Sequence, residues 1–466
     1  MKSDAQSATP APPDRRDIQV ALWLGLLFGL LFAVVTPPFQ GPDEGQHFFR
    51  AFAVSQGVWK LQRAGGQKGA PLPDSLKQVI NETAAGVAGH PDIKADVRRI
   101  RDAFSIPLSE DRSSFTDMMP TQFATPMTYL HEAAALRAAG IFNLGPLAMF
   151  YAARLANLAA YLILVAVALR VTPGLRWSLL ILGLSPMALW LASTLTYDAP
   201  ANGLSFLALA AILGLRAVSS RPLSAWQVLG LCALFALLAL VKGVGLLLLP
   251  LLALLPQERF GGRRQRLWCV ATVLAAAALS WSAAWLIWFR DHVPDPRMSA
   301  EPVRQFHFVA AHPLQYLRIM AASAHGFGGD WLEGFVGRLG WLDTDIGAGT
   351  RRLWWLLALV AVILDAAQWR DRLRVADRAW LAGTLVLSVG AVLGVMYLTW
   401  TPPACPAIAG VQGRYFIPTA ALAPLLLMRP IAVGSRFQTG LRLTFAIGIV
   451  LVLAMTAWRL CLRYYT

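Results

Sequence analysis

"DIQVALWLGLLFGLLFAVVTPPFQGPDEGQHFFR", residues 17–50, decides how this chain is read. It begins with an apolar run of about nineteen residues, enough helix to cross a hydrocarbon layer of about 30 Å. Directly behind the run stand Asp43, Glu44, His47 and Arg50. Pro37, Pro38 and Pro42 end the helix and fix an extended path. Two adjacent carboxylates on an extended path point to opposite sides. One can then face a cavity while a base holds the other, and Arg50 and His47 are the nearest local bases. A carboxylate held at the water–lipid boundary can act as a general base toward a hydroxyl. The same residues also fit a solvated turn in which Asp43 caps a helix beginning at Glu44.

Composition agrees with a membrane reading. The 466 residues are 56% hydrophobic and 14% charged, with mean hydropathy +0.52. A soluble chain carries about 25% charged residues. Long apolar runs recur from end to end, so the expected class is an all-α polytopic membrane protein. The net charge of +15 needs no nucleic acid, because an arginine excess in cytoplasmic loops accounts for it. Cys232, Cys269, Cys405 and Cys461 have no metal or redox spacing and suggest no disulfide framework. The first run is too long for a signal-peptide core and reads as a retained span.

The tail, 1–17, reads as disordered and cytoplasmic, and 18–466 as one transmembrane domain. Expected spans are 18–36, 143–169, 177–193, 199–216, 267–289, 352–367, 379–400, 414–428 and 442–460. The run 224–256 has basic residues on both flanks and Lys242 at its midpoint, beside Gly243 and Gly245. It must enter and return, as two short spans or a re-entrant hairpin. The total is about eleven spans, with the N-terminus inside and the C-terminus outside. The short basic turns (Arg170, Arg176, Arg216, Arg221; Arg259, Arg263, Arg264, Arg266; Arg370, Arg372, Arg374, Arg378; Arg429, Arg436, Arg442) mark the cytoplasmic side. Segments 37–140 and 290–350 fall outside, each with an amphipathic surface helix: Ile93, Val97, Ile100 and Phe104 in one, Val303, Phe306 and Ala310 in the other.

Lys242 is the strongest single feature. A lysine deep in an apolar run costs about 2.5–3.5 kcal/mol and needs a partner or water. Phosphate is a natural partner; a lysine reaching the interface from a turn is the plainer reading. Asp198, after Tyr197 in "STLTYDAP", is either a site residue or an N-cap. Arg154, three residues from Asn157, implies an internal anion or a structural ion pair. Trp341 and Asp343 precede one span, and Gln412, Arg414 and Tyr415 open another. Arg414 could grip a phosphate bidentately, or be an interfacial anchor. All of these except Arg154 fall on the outer side, which suggests one outward cavity with a base for an acceptor and cations for a phosphate. No nucleotide-binding or zinc motif is present.

"TPPFQGPDEGQHFFRAFAVSQG", "SPMALWLASTLTYDA", "LLALVKGVGLLLLP", "GRLGWLDT" and "QGRYFIP" occur in this order. Together they resemble a bacterial family of polytopic membrane proteins of unassigned function, grouped with the GT-C glycosyltransferases. The resemblance spans about 30–430. It implies a GT-C-like fold in the bacterial inner membrane, with an active site facing the periplasm. The implied activity moves a sugar from a polyprenyl-phosphate donor to a cell-envelope glycan or lipid acceptor, with inversion. Asp43, with Glu44, would supply the general base. Lys242, Arg414 and Arg154 would hold the phosphate. His47, Arg50, Tyr197, Asp198, Trp341, Asp343, Gln412 and Tyr415 would line the substrate site. No metal is expected, although Asp43, Glu44 and Asp343 together could hold a divalent one. Two other activities fit less well: a lipid-linked glycan transporter or flippase, and a glycan polymerase or ligase with a diphosphate-linked donor.

Overall fold

The computed structural model describes residues 15–84, 86–109, 111, 114–217, 221–293, 300–369, 371 and 373–466; for 15–17 it describes the backbone alone. Arg370 and Arg372, and the tail up to residue 14, lie outside the described residues.

The chain is mostly helix. In order, the helices are α1 (Arg15–Val35), α2 (Glu44–Ser55), α3 (Asp74–Ala84), α4 (Val97–Ala103), α5 (Leu130–Ile141), α6 (Pro146–Val171), α7 (Arg176–Gly183), α8 (Pro186–Ala192) and α9 (Asp198–Ala217). They continue with α10 (Ala225–Val241), α11 (Arg263–Ala284), α12 (Pro302–Ala311), α13 (Pro313–Gly337), α14 (Ala348–Gln368), α15 (Val375–Thr399), α16 (Leu422–Leu427) and α17 (Ser435–Tyr464). Among the described residues, six helices are long and apolar enough to cross a membrane: α1, α6, α9, α11 with its π-helical extension to Phe289, α15 and α17.

The other expected spans are shorter or broken. Residues 177–193 form α7 and α8, separated at Leu184–Ser185, where Pro186 cannot continue the first helix. The run 224–256 breaks at Lys242: α10 ends there, and a 3-10 helix, Gly243–Leu254, returns. Residues 414–428 form a 3-10 turn, Gly413–Thr419, and then α16. α14 carries Arg351 and Arg352 at one end and Asp365 at the other. Segment 290–350 holds the expected surface helix, α12, with Val303 and Phe306 exposed. It also holds the 25-residue α13, which was not foreseen.

The first long segment is not helix alone. β1 (Gln62–Ala64), β2 (Gln67–Leu72) and β3 (Ser114–Asp117) form an antiparallel sheet with β2 in the middle, Gln62 opposite Gly69 and Gly69 opposite Asp117. Gly65 and Gly66, at φ 54° and 78°, make the two-residue turn between β1 and β2. A second, two-stranded pair, β4 (Arg338–Leu339) and β5 (Thr344–Asp345), leads into α14. The expected amphipathic helix near residue 93 is only the seven-residue α4, capped by Asp96 and flanked by exposed Ile93 and Phe104.

α6 packs along α9 and α1, α10 along α11, and α14 along α17. The main apolar core runs through these helices, and a second core joins α2, the sheet, α3 and α5 to the start of α6. The basic turns also hold acids. Arg216 pairs with Asp371 at 2.6 Å and Asp377 at 2.9 Å, and Asp365 accepts from the Trp177 and Ser178 amides at the start of α7.

Candidate functional site

The site is built from the exit of α1. Arg154 on α6 lies inside the protein with no exposed surface, and so does Glu44. Arg154 Nε donates to Glu44 Oε1 at 2.8 Å and Nη2 to Oε2 at 2.7 Å. Nη1 donates to the Ala33 and Thr36 carbonyls at 2.7 and 2.8 Å, and Nη2 also to Pro37 at 3.0 Å. All five guanidinium N–H groups are thereby used. Glu44 additionally accepts from the Gly41 and Leu195 amides, both at 2.9 Å, which fills its four acceptor positions. This is a closed clamp. It satisfies carbonyls freed where α1 ends and ties them to the 193–197 turn. The expectations that Glu44 shares in catalysis and that Arg154 holds a phosphate are therefore corrected, because neither has bonding capacity left.

Asn157, one turn further along α6, donates to the Leu191 and Thr194 carbonyls at 3.4 and 2.6 Å. It thus holds the unwound chain after α8. That chain presents Tyr197 and, at the first position of α9, Asp198.

Asp198 is the centre of a charged cluster. Lys242 Nζ donates to Asp198 Oδ1, and Arg414 Nε lies 3.6 Å from Oδ2. Lys242 Nζ also sits 4.7 Å from the Tyr197 ring centroid and 5.3 Å from that of Tyr415, within cation–π reach. Lys242 reaches this point because α10 stops. The carbonyls exposed by the stop are met from outside the helix: Thr125 Oγ1 donates to Leu240 at 2.7 Å and Thr128 Oγ1 to Val241 at 3.5 Å. A helix break in an apolar run is tolerable only with such partners.

His47 joins the cluster from α2. Its ring packs edge-on against Tyr197 at 5.0 Å, and its Nδ1 is 2.8 Å from the Tyr129 hydroxyl. Burial pushes the imidazole down to about 3; the nearby Arg414 and Lys242 charges add to this, and Asp198 opposes it. His47 is therefore neutral, and Tyr129 Oη–His47 Nδ1 is a hydrogen bond between neutral groups. Burial holds the Tyr129 phenol well above its ordinary value, and the charge of Glu132 adds to this. Asp43 itself is half-buried, with φ 51° in the left-handed region. Its carbonyl accepts from the Gln46 and His47 amides, and its side chain makes no cap bond to α2.

Two cavities are lined by the neighbouring residues Arg414 and Tyr415, one by each. One, of about 510 Å³, is walled by Leu246, Trp281, Val392 and Met396, with Tyr197, Lys242 and Tyr415 at its polar end. The other, of about 410 Å³, takes in Gln412 and Arg414.

Three further expectations are corrected. Arg50 is buried and donates to the Val58 and Trp59 carbonyls at 3.1 and 3.0 Å, so it closes the loop after α2. Asp343 accepts from Arg463 at 2.7 Å, from Thr344 and from the Trp341 amide, while Arg463 also donates to the Val87, His90 and Ile93 carbonyls. Asp343 thus fastens the end of α17, and Trp341 is exposed beside it. Among the described residues, Asp43, Glu44 and Asp343 form no group that could hold a metal ion. Tyr129 and the two threonines were missed in the sequence. Their only signal is the run "TPMTYLHE", unusually polar for the entry to a helix.

A family of predicted membrane proteins, DUF2142, has a sequence model that matches residues 26–426. The chain belongs to this family. The matched DUF2142 region contains every residue of the Asp198–Lys242–Arg414 cluster, His47 and the Glu44–Arg154 clamp. No curated protein and no solved structure matches the chain.

Proposed function

We propose that this DUF2142 protein is a GT-C-type glycosyltransferase that moves a sugar from a polyprenyl monophosphate to a glycan or lipid acceptor, on the periplasmic face of the bacterial inner membrane. One observation carries the proposal: an apolar cavity of about 510 Å³ that ends on Lys242 between two tyrosine rings. An isoprenoid tail suits the walls and a phosphate suits the end. Lys242 and Arg414 bring two positive charges against the single charge of Asp198, and His47 is neutral.

In the proposed reaction an acceptor hydroxyl attacks the anomeric carbon. Its proton passes to Asp43, the bond from that carbon to the phosphate oxygen breaks, and polyprenyl phosphate leaves with its charge met by Lys242 and Arg414. Asp43 fits the base better than Glu44. Glu44 is used up by the Arg154 clamp, whereas Asp43 stands half-buried directly before α2, the helix that carries His47. The chain's own residues suffice for this step, so no metal or cofactor enters it.

A transporter of lipid-linked glycans remains the second reading, because the helix breaks at 184–185 and 420–421 accompany the one at Lys242. The test uses protein in nanodiscs and a panel of polyprenyl-monophosphate hexoses and pentoses, with release of polyprenyl phosphate followed by mass spectrometry. Asp43→Asn should cut release by about 10²–10⁴-fold, the usual contribution of a general base, while polyprenyl phosphate binding persists. Release at the wild-type rate in that variant overturns the assignment of Asp43. Movement of lipid-linked sugar across proteoliposomes without release favours the transporter.

A further inference from the structure

We propose that the second cavity is a saccharide subsite for the acceptor, with Trp331 as its platform. This rests on the transferase reading for the acceptor's role, but not for the binding of sugar. The cavity of about 410 Å³ lies between α13 and residues 408–414. α13 contributes Phe327, Asp330 and Trp331; Arg338, Gln412 and Arg414 complete the polar lining. Its size falls at the small end of the range for small-ligand sites, about 300–1,000 Å³.

The chemistry points to a neutral, hydroxyl-rich ligand. Phe327 is exposed and Trp331 half-exposed, so flat apolar faces stand beside a carboxylate, an amide and a guanidinium. A sugar ring offers C–H faces to the first and hydroxyls to the second. An anion is disfavoured, because Arg338 is already drawn to Asp330 at 3.4 Å and Glu333 at 2.9 Å. Arg414, the other cation of the lining, is assigned to the donor phosphate in the proposed reaction. A lipid tail is disfavoured too, because it would take the partly exposed Arg338–Asp330 ion pair out of water.

Position gives the cavity its role. Arg414 lines it, and the next residue, Tyr415, lines the apolar cavity. The two cavities are thus lined from consecutive residues of one segment, which is where a donor site and an acceptor site would be placed side by side. The spacing is fixed by backbone contact: a Cβ on Gly413 would fall 2.0 Å from the Trp331 carbonyl oxygen and 2.1 Å from the Phe335 nitrogen. Trp331 and Arg414 are thus held in one register by main chain.

The test is saturation-transfer NMR on the full-length protein in nanodiscs, with methyl glycosides of the common hexoses as probes. At least one glycoside should receive saturation on its ring C–H protons. Trp331→Ala should weaken that binding at least tenfold and Trp331→Phe by less than threefold. Asp330→Asn should weaken it severalfold, and polyprenyl monophosphate binding should be unchanged in all three. The proposal is overturned if no glycoside binds, or if Trp331→Ala binds as wild type does. Trp331-dependent binding without any donor turnover would sink the transferase and leave the subsite standing. Donor turnover with sugar binding indifferent to Trp331 would do the reverse.

Discussion

The Glu44–Arg154 clamp gives a sharp prediction, because its two residues stand next to, and in line with, residues assigned to chemistry. Arg154→Ala strips Glu44 of two charged donors and leaves it only the Gly41 and Leu195 amides. The carbonyls of Ala33, Thr36 and Pro37 lose their donor at the same time. Both side chains are fully enclosed. Removing one partner of a buried pair costs about 3–5 kcal/mol, since an uncompensated charge stays behind. Each orphaned carbonyl adds to that unless water enters. Arg154→Lys keeps the charge but offers three donors where five are used, so an intermediate loss is expected. Glu44→Gln combined with Arg154→Met removes both charges and should cost less than the sum of the single variants. Equilibrium unfolding in mixed micelles with SDS, followed by tryptophan fluorescence, measures these variants and the Glu44→Gln and Arg154→Met singles. Asp43→Asn, which keeps a side chain that tolerates the left-handed region, should cost less than Arg154→Ala in the same assay. The reasoning fails if Arg154→Ala unfolds at the wild-type midpoint, or if the Glu44 and Arg154 losses simply add.

Three further outcomes follow from the geometry. His47 is held near 3, against 6.5 in an unfolded chain, so the unfolded state binds the extra proton between those values. Its contribution is fully present above about pH 6.5 and is lost as pH falls, by about 1 kcal/mol from pH 6.5 to 5.5; the same unfolding assay run with His47→Asn should show a shallower acid limb. Gly413→Ala should cost about 1–3 kcal/mol, because the new methyl meets backbone rather than a mobile side chain. It should also weaken lipid-phosphate binding by moving Arg414, measured as retention of polyprenyl monophosphate. Thr125→Ala leaves the Leu240 carbonyl without its 2.7 Å donor and should cost about 1–3 kcal/mol, whereas Thr125→Ser should cost much less.

The parts of this fold that could be read in advance are those where one residue type conflicts with its surroundings. Lys242 with two nearby glycines, inside an apolar run, announced a break, and the break is there. Pro37, Pro38 and Pro42 announced the end of α1. Asp43 and Glu44 were harder, because adjacency says that two carboxylates diverge but not which one turns inward. Arg154, 110 positions away, makes that choice. The sheet was invisible because its strands are three to six residues long and lie in a polar segment without alternation. α13 was missed because Arg318, His325, Asp330 and Glu333 interrupt its apolar pattern. Its shape depends on packing against residues 413–419 and α8, which no local pattern encodes. Tyr129 gained its place only through folding, 82 positions from His47.

Asp198 has a further consequence for how the cluster persists. Bringing Lys242 and Arg414 into an enclosed site costs several kcal/mol for each ion unless a counter-charge is present. Asp198 supplies that charge from the N-terminus of α9, where the helix dipole favours an acid. Lys242 supplies its cation at the C-terminus of α10, where the dipole favours a base. Each charge is thus stabilised by its own helix before the two meet. In the proposed reaction, a lipid phosphate entering beside Lys242 would compete with Asp198 for donors that are already in place, so it would not need to assemble them. Lys242 is the more available of the cations: its side chain is 24% exposed, against 11% for Arg414. In the proposed reaction, exchange would therefore begin at Lys242, at the polar end of the apolar cavity, with Arg414 following.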